Sequence, residues 1–511
     1  MPQQRRFLLS AVTNWLAFAA TLLVAFFLSP YLIGKLGDSR YGVWVFVESI
    51  LAYFTLFDLG IAAGVVRFTA KFHAEKNQHE LNRLASACLA LFLGLGVLAF
   101  LLGFALTPFF APMMSKSGMP PDEIATFTLL MLGNLAMSLP LSVFPSMLDG
   151  LERFAAKSLV RIVFLVGRTI AIVMLMERDQ SLIGLAVIFT IGTLAEHFVM
   201  ALLCWFYLPR LRFGLTLIDR EMLRRMKGYS LDAFMAMIAG RVSVQSGAII
   251  IGIFLSAPEI TWFAIALRLV EFAKALSRSA TTTLTPAISS LEAAGDLDAI
   301  RHVLLKGTRW VLYLILPVHV GLIVFGKPFL TIWLGSPEYA TRCYPALVIL
   351  SATLSLVVAQ SVASRILYGM GRLRLFAFMA LGEAALNLGL SLLLVGSLGI
   401  LGIALASAIP NLMFCMFVIG YACRTLGLGW REYMGATWIR PLGVVIVPIA
   451  IWSSGWSVAG WGSLALAILA GLLPYALAVA ALERKRVAFT AGAAPTIEMA
   501  PVPRCGESRT R

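Results

Sequence analysis

The chain has 511 residues, of which 60% are hydrophobic and 13% are charged, and its mean hydropathy is +0.88. These values lie far outside the range of soluble domains and predict an integral membrane protein. The net charge of +15 is first a topology signal, set by where Lys and Arg lie relative to the membrane, and hardly a sign of nucleic-acid binding.

Apolar runs long enough to cross a bilayer, roughly 17 to 25 residues each, recur along almost the whole chain. Strand-like alternation is absent, and backbone groups in lipid must be paired within the segment, so the runs predict helices rather than a barrel. The predicted fold class is an all-α integral membrane protein with about fourteen transmembrane helices. The predicted spans are 8–33, 41–66, 84–109, 124–148, 159–176, 181–208, 229–256, 258–280, 307–334, 344–368, 375–396, 400–422, 437–454 and 461–482.

The first two spans are separated by a short polar stretch, PYLIGKLGDSRYGVW, from Pro30 to Trp44. Its three glycines at positions 34, 37 and 42 predict a tight hairpin at the outer face. A shift in numbering of 218 carries Trp44 onto Trp262, and a shift of 219 carries LDGLER (148–153) onto LYGMGR (367–372). Several such matches in order predict two homologous six-helix lobes related by an axis along the membrane normal.

The resulting domain prediction has five parts. An N-terminal six-helix lobe covers 1–208 and a C-terminal six-helix lobe covers 229–430. A basic, amphipathic cytoplasmic linker at 209–228 joins them. Two additional transmembrane helices occupy 431–486. The Ala-, Pro- and Thr-rich segment 487–511 is predicted to be a disordered cytoplasmic tail.

The distribution of Lys and Arg predicts the orientation of these spans. With the N-terminus in the cytoplasm, the inner segments hold 31 of the 41 Lys and Arg residues, the outer segments hold 6, and 4 lie within spans. Because cytoplasmic loops carry an excess of Lys and Arg, this bias predicts that both termini are cytoplasmic.

Several motifs of the first 160 or so residues resemble those of the polysaccharide flippases of the multidrug/oligosaccharidyl-lipid/polysaccharide exporter superfamily, often called Wzx-type O-antigen translocases. The motifs are PYLIGKLGDSRYGVW, then Tyr53 to Asp58-Leu59-Gly60, Arg67, and LDGLER at Leu148 to Arg153. The resemblance covers about residues 7–430.

That resemblance implies two six-helix lobes around a central cavity, often with two extra C-terminal helices. It also implies alternating access that moves undecaprenyl-diphosphate-linked oligosaccharide from the cytoplasmic to the periplasmic leaflet of the bacterial inner membrane. The implied pathway is surface polysaccharide biosynthesis, such as lipopolysaccharide O-antigen or exopolysaccharide. The implied partners are membrane lipids and the polymerase and glycosyltransferases of that pathway, with no nucleic acid.

Charged side chains inside the spans are candidate functional residues, because a charge at the bilayer centre costs roughly 2.5 to 3.5 kcal/mol on insertion. In the eighth span Arg268, Glu271, Lys274 and Arg278 follow one another at spacings of 3, 3 and 4, which predicts one polar stripe on a helix. Three cations against one carboxylate suit a diphosphate, which Arg can grip bidentately. The alternative is a salt-bridge ladder that only fixes packing.

Arg241 has no acid within four residues in sequence, so its partner must come from another helix or from a ligand. The predicted substrate-binding residues are Arg241, Arg268, Lys274, Arg278 and Arg67. Five acids are predicted counter-charges or ion-coupling groups, with a structural partner role as the alternative for each: Glu48, Asp58, Glu196, Glu271 and Glu383.

The absence of other motifs limits the remaining chemistry. The six cysteines show no CxxC spacing and the five histidines no HExxH, so no metal site, cofactor or disulfide framework is predicted. Nothing matches GxxxxGK[ST], so energy must come from a gradient or the membrane potential, and the chain is predicted not to be an enzyme. A multidrug or small-molecule ion antiporter of the same fold, with an acidic or aromatic cavity, is one alternative. A membrane-embedded polysaccharide polymerase, with a sizeable outer loop, is another.

Overall fold

The computed structural model describes residues 3–58, 60–114, 117–218, 221–222, 224, 231–281 and 284–490. This part of the chain is helical and contains no β-strand. Twelve of its helices are long and apolar enough to cross a membrane, so the chain is a multi-pass membrane protein. The α-helices are α1 (Gln3–Phe54), α2 (Ile61–Ala74), α3 (Gln78–Met114), α4 (Pro121–Leu141), α5 (Val143–Gly150), α6 (Phe154–Arg178), α7 (Leu182–Tyr207), α8 (Leu231–Phe254), α9 (Ala257–Thr281), α10 (Leu284–Ala293), α11 (Leu297–Leu334), α12 (Pro337–Val357), α13 (Gln360–Gly369), α14 (Leu373–Leu398), α15 (Ile400–Thr425), α16 (Trp430–Thr437), α17 (Ile439–Trp452) and α18 (Trp461–Thr490).

Helix α1 is bent back on itself at Gly37, whose φ of 75° and ψ of 167° interrupt the helix. On a straight helix Ser29 and Glu48 would stand about 28 Å apart, at about 1.5 Å per residue. Arg268 nevertheless donates a hydrogen bond of 2.6 Å to Ser29 and is near enough to Glu48 to be attracted by its charge. The chain therefore reverses at Gly37, as the sequence predicts.

The number of spans is the part of the fold on which sequence and structure differ. The twelve count the 47-residue stretch Val12–Asp58 as one helix, although the sequence predicts two spans there. They also omit α9, which carries five charged residues. The predicted count of about fourteen stays a prediction. The predicted second span, 41–66, ends early because Gly60 adopts a left-handed φ of 74° and a separate helix, α2, begins after it.

The element order of the first half of the chain recurs in the second. The starting positions of α3 and α11 differ by 219 in numbering, as do those of α6 and α14, and those of α7 and α15 differ by 218. The left-handed backbone positions recur as well, because Lys76 and Glu152 are matched at the same offset of 219 by Gly295 and Gly371. We call α1 to α7 the N-lobe and α8 to α15 the C-lobe.

Asp38, next to the reversal, is the centre of the contact between the lobes at what we call the hairpin end. Its carboxylate accepts the Trp262 indole N–H at 3.0 Å and the Tyr339 hydroxyl at 2.6 Å. Its backbone carbonyl accepts the Thr261 hydroxyl at 2.7 Å. One N-lobe residue thus receives three hydrogen bonds from the C-lobe.

Two glycines allow the helices to approach closely beside this contact. A Cβ added to Gly42 would collide with the carbonyl oxygen of Ala257, and one added to Gly252 would lie 2.6 Å from the Phe46 ring. Gly42, one of the three predicted hairpin glycines, therefore serves packing between the lobes rather than the turn. The lobes are closed at the hairpin end.

The last two helices are held to the C-lobe by a buried ionic cluster. Glu483 of α18 lies 3.4 Å from Arg309 of α11 and 3.7 Å from Arg440 of α17. Tyr313 donates a hydrogen bond to Glu483 at 3.3 Å, and Tyr475 donates one to the Tyr313 carbonyl at 2.7 Å. Arg309 is 4% exposed, so the cluster lies within the packed interior.

The connection between the lobes is attached to the N-lobe where it is described. Within the predicted linker at 209–228, the backbone N–H groups of Arg212 and Gly214 donate to the side chains of Asn82 and Ser86 of α3, at 3.1 and 3.3 Å. The predicted positions 219–220, 223 and 225–228 lie outside the described residues.

The chain end differs slightly from its predicted boundary. Helix α18 continues to Thr490, beyond the start of the segment predicted to be a tail at 487. The remaining positions, 491–511, lie outside the described part of the chain.

Candidate functional site: a basic cleft between the lobes

A cleft lies away from the hairpin end, and two cavities form it. The larger, of about 360 Å³, lies between the lobes, and the smaller, of about 260 Å³, is lined by N-lobe residues alone. Thr21 and Arg161 line both cavities. Thr21 and Gly37 both belong to α1, and their separation in sequence corresponds to about 24 Å along a helix. Because a hydrocarbon core is about 30 Å thick, the cleft lies in the half of the membrane opposite the hairpin.

The charged side chains that line the cleft are predominantly cationic. Lys157, Arg161 and Arg168 of α6 and Arg278 of α9 all line it, whereas Glu196 of α7 is its one lining carboxylate among the described residues. The α6 cations follow one another at spacings of 4 and 7 along the chain, which places all three on one helical face. The cleft therefore carries an excess of positive charge from both lobes.

The N-lobe cations differ in how well they are compensated. Lys157 is paired with Asp149 at 2.6 Å. Arg168 donates to the Thr193 hydroxyl at 3.4 Å and lies near Glu196. Arg161 is exposed to the cleft and makes no hydrogen bond or ion pair with another described residue.

The Arg168 guanidinium also lies 4.3 Å from the centre of the Phe189 ring. Its charge is repelled by that of Arg161. An anion beside Arg161 would relieve this repulsion.

Three of the four residues of the predicted polar stripe on α9 meet in the structure. Lys274 is 2.9 Å and Arg278 is 3.2 Å from the two carboxylate oxygens of Glu271. The Arg278 side chain keeps 62% of its surface exposed and lines the cleft. The stripe is thus a ladder in which two cations share one carboxylate, and its end is available to a ligand.

Arg268 lies apart from the rest of the stripe and connects the lobes. It donates to Ser29, is within hydrogen-bonding reach of the Tyr41 hydroxyl, and is attracted by Glu48. All three partners belong to α1. The predicted counter-charge Glu48 is therefore found beside a predicted substrate-binding residue, but neither lines the cleft.

The structure places the other predicted residues separately. Arg241 is half-buried on α8 and makes no hydrogen bond or ion pair with another described residue. Arg67 is exposed on α2, with its guanidinium 6.0 Å from the centre of the Phe68 ring. Asp58 accepts the backbone N–H of Ala62 at 3.1 Å and so caps the first turn of α2.

A third cavity, which we call the C-lobe pocket, has a volume of about 50 Å³. Glu383, Asn387, Asn411 and Lys274 are among its lining residues. Two predicted residues, Glu383 and Lys274, thus meet in an enclosed site. The described residues include no group of three or more His, Cys, Asp or Glu placed to hold a metal ion.

Arg161 and Lys157 line the cleft, but the sequence prediction does not include them among the candidate site residues. Both belong to the inner Lys and Arg residues that indicate topology, near the inner end of a span, where Lys and Arg are ordinarily found. The available signal was their spacing to Arg168, which places all three on one face of α6.

Comparison with known proteins identifies the family. The family model described as "Lipid II flippase MurJ" matches residues 63–469, which is most of the chain. The chain belongs to the lipid II flippase MurJ family.

Solved structures support the same fold. One described as lipid II flippase MurJ in an inward closed conformation has a TM-score of 0.74 and 14% identity, covering 94% of this chain and 100% of that one. An inward-facing multidrug resistance MATE family transporter of the MOP superfamily has a TM-score of 0.64 and 14% identity, covering 79% of this chain and 94% of that one. The predicted all-α membrane fold is confirmed.

One curated relative is itself a flippase by name. The probable low-salt glycan biosynthesis flippase Agl15 of Haloferax volcanii is 26% identical over 186 residues, or 36% of this chain. The match spans 39% of that relative's length. The predicted superfamily of flippases is therefore supported, whereas the Wzx-type assignment stays a prediction.

Proposed function

We propose that this protein flips a lipid-linked oligosaccharide from one membrane leaflet to the other and binds the diphosphate of the lipid carrier in the basic cleft. The observation that carries the proposal is the joint lining of one cavity by Arg161 of the N-lobe and Arg278 of the C-lobe. A guanidinium group binds phosphate oxygens bidentately. The family and the glycan flippase relative support the same substrate class.

The packing of the lobes suits alternating access. The lobes are closed at the hairpin end through Asp38 and Gly42, and the cleft separates them in the other half of the membrane. An anion held between Arg161 and Arg278 would draw the cleft walls together, while the hairpin end opens. Outward movement of an anion across an interior-negative membrane is favoured by about 2.3 kcal/mol per charge per 100 mV.

We propose different roles for Arg161 and for the cations that the sequence predicts. Arg161 and Arg278 are the proposed principal ligands of the diphosphate, because both face the cleft. Arg268 is proposed to act at the lobe contact, where Glu48 compensates it. Arg241, Arg67 and Lys274 stay candidates for contacts made in another conformation, when the lobes have moved.

The finer identity of the substrate follows the sequence resemblance. We propose that the carrier is undecaprenyl diphosphate, the oligosaccharide is a repeat unit of a surface polysaccharide, and the membrane is the bacterial inner membrane with both termini cytoplasmic. Glycosyltransferases and a polymerase of that pathway are the proposed partners. A multidrug antiporter shares the fold, but the excess of cations in the cleft favours an anionic substrate over a cationic drug.

The proposal is tested by replacing Arg161 or Arg278 with Ala in cells that depend on this chain for polysaccharide export. We expect export to be lost at normal protein levels, with lipid-linked repeat units accumulating on the cytoplasmic leaflet. Lys at either position should restore part of the export, because a point charge still attracts phosphate but lacks the bidentate fork. Arg178→Ala, an exposed position at the other end of α6, is the matched control.

The result that rejects the proposal is normal export by folded, membrane-inserted Ala variants of both residues. Export of a cationic drug by the wild-type protein, unaffected by either variant, would favour the antiporter instead.

A further inference from the structure

We propose that Arg440 binds the phosphate group of an anionic phospholipid at the membrane surface, where α17 and α18 pack against α11. The site is separate from the basic cleft, because neither Arg440 nor its ionic partners line the two cavities that form the cleft. The inference does not rest on the proposed flippase activity.

The ionic cluster around Glu483 holds more cationic than anionic side chains. One carboxylate oxygen of Glu483 lies 3.4 Å from Arg309 and 3.7 Å from Arg440, and it accepts the Tyr313 hydroxyl at 3.3 Å. Two guanidinium groups and a hydroxyl group thus converge on a single oxygen atom. The four side chains together carry one net positive charge, and removing such a charge from water is costly unless an anion balances it.

The two arginines of the cluster differ in how their donors are used. Arg309 is 5% exposed and also donates to the Ala436 carbonyl at 3.4 Å. Arg440 lies too far from Glu483 for a hydrogen bond, and its Nη1 atom is buried without a hydrogen-bond partner among the described residues. The Arg440 side chain is nevertheless 35% exposed. Arg440 is therefore the member of the cluster whose donors a ligand can reach.

The cluster lies at the level of the lipid headgroups. Arg309 and Leu334, the last residue of α11, are separated in sequence by a distance that corresponds to about 38 Å along a helix. Leu334 belongs to the hairpin end, because Tyr339, just beyond it, donates to Asp38. A hydrocarbon core is about 30 Å thick, so Arg309 lies at the opposite membrane surface. Trp310, which is 46% exposed, is a residue type enriched at that level.

The apolar face of α17 offers a surface for acyl chains beside Arg440. Ile439, Leu442, Ile446 and Ile449 are exposed and follow one another at spacings of 3, 4 and 3, which places them on one face of the helix. Arg440 is half-buried and stands at the edge of this face. A lipid bound at Arg440 by its phosphate would lay its chains along α17.

The combination of charge and apolar surface favours an anionic phospholipid. A guanidinium group binds phosphate oxygens bidentately, and basic pockets between transmembrane helices bind anionic headgroups. A zwitterionic lipid also brings a cation, which Arg309 and the exposed Arg484 would repel. A free phosphate ion gains nothing from the apolar face of α17. Only the anionic lipid uses both features.

The bound phosphate would complete the attachment of the C-terminal helices. Arg440 belongs to α17, Glu483 to α18 and Arg309 to α11, and these helices pack against one another. An anion at Arg440 would balance the charge that Glu483 leaves over. The lipid would therefore stabilise the packing of α17 and α18 on the C-lobe.

The site is located by photolabelling the full-length protein in nanodiscs of phosphatidylcholine. The probe is a trace of phosphatidylglycerol with a photoreactive group in one acyl chain, and labelled peptides are identified by mass spectrometry. We expect the exposed face of α17 to be labelled. Replacing part of the phosphatidylcholine by unlabelled phosphatidylglycerol should reduce this labelling, whereas labelling of the exposed face of α3, around Leu93 and Leu101, should stay unchanged.

Substitution of Arg440 tests the residue assignment. Arg440→Gln should reduce labelling of α17 by a factor of about ten, as expected for the loss of one charge-assisted hydrogen bond. Arg440→Lys should keep part of the labelling, because it retains a point charge without the bidentate fork. Arg431→Gln, at an exposed arginine of the neighbouring helix α16, is the matched control and should label like the wild type.

Four results overturn the proposal. Labelling of α17 that added phosphatidylglycerol does not reduce would show ordinary annular lipid. Displacement of the probe by inorganic phosphate would show a site for a free anion, and stronger displacement by undecaprenyl diphosphate than by phosphatidylglycerol would assign the site to the transported lipid. Normal labelling of a folded Arg440→Gln protein would reject the residue.

The displacement experiments use the wild-type protein, so they decide the proposal even if Arg440→Gln does not fold. The test is also separable from that of the proposed function. A wild-type protein that shows this lipid site but flips no lipid-linked oligosaccharide in vesicles would refute the proposed function alone.

Discussion

The two lobes join α5 to α6 and α13 to α14 in the same way but stabilise the two junctions by different interactions. In the N-lobe Asp149 and Lys157 form an ion pair at 2.6 Å. The equivalent positions of the C-lobe, at the offset of 219 in numbering, hold Tyr368 and Phe376, whose rings pack edge to face with centroids 5.4 Å apart. The junction thus requires that two side chains meet, but not that they be charged.

The lobe interiors differ in the same sense. Arg168 of α6 lines the open cleft, and its equivalent at the same offset, Asn387, is 2% exposed in the C-lobe pocket. In the N-lobe this position holds a cation that lines the cleft, where an anion can meet it. In the C-lobe it holds a neutral amide enclosed in a small pocket. The two lobes therefore share a backbone arrangement, while the side chains at equivalent positions differ in charge and exposure.

The contrast predicts opposite consequences for the two junction pairs. Phe376→Ala should lower the free energy of unfolding by about 3 kcal/mol, because it removes a buried aromatic ring. Lys157→Ala should cost less than about 1 kcal/mol, as for a partly exposed ion pair, yet it should reduce export because Lys157 lines the cleft. Thermal unfolding in detergent and an export assay measure the two effects. Equal stability losses would contradict this division between the lobes.

Arg168→Asn places in the N-lobe the residue type that the C-lobe has at the equivalent position, Asn387. It leaves Glu196 in the cleft wall without its neighbouring cation, and we expect a loss of about 2 kcal/mol, within the range for an uncompensated, partly buried group. Adding Glu196→Gln should restore most of the stability. The amount of monodisperse protein after heating is the readout. If the double variant is no more stable than the single one, the two side chains do not form a unit.

The smallest expected effect concerns the left-handed turn that each lobe places before α6 or α14. Gly371→Ala should cost about 1 kcal/mol, because a Cβ disfavours a φ of 65°. Gly382→Ala, at a helical position with nothing within 4 Å of the added Cβ, should be neutral or stabilising. Glu152→Gly should not destabilise the N-lobe turn, because Gly adopts a φ of 58° without strain. A destabilised Gly382→Ala protein with an unaffected Gly371→Ala protein would contradict the conformational argument.

The sequence predicts the scaffold better than the site, for a physical reason. The hairpin at Gly37 and the stripe at Glu271, Lys274 and Arg278 depend on neighbours in the chain, and the structure shows both. The attraction between Arg268 and Glu48 depends on a chain reversal and on the approach of positions far apart in the sequence. Nothing in local spacing indicates that these two residues approach each other.

Arg161 illustrates the second limit of the sequence. Lys and Arg near a helix end indicate which side of the membrane that end occupies, and this reading accounts for Arg161 completely. Which face of α6 is turned toward the cleft is decided by how the helices pack against one another. Its role in lining the cleft therefore emerges only when the helices are assembled.

The cluster of Glu483 with Arg309 and Arg440 makes the C-terminal helix pair a rigid extension of one lobe, whereas the backbone bonds of Arg212 fasten the inter-lobe connection to the other. A dye attached after Thr490 would therefore move with the C-lobe, and a second dye at position 212 would move with the N-lobe. Energy transfer between them would record each opening and closing of single molecules in real time, without any label inside the transport path.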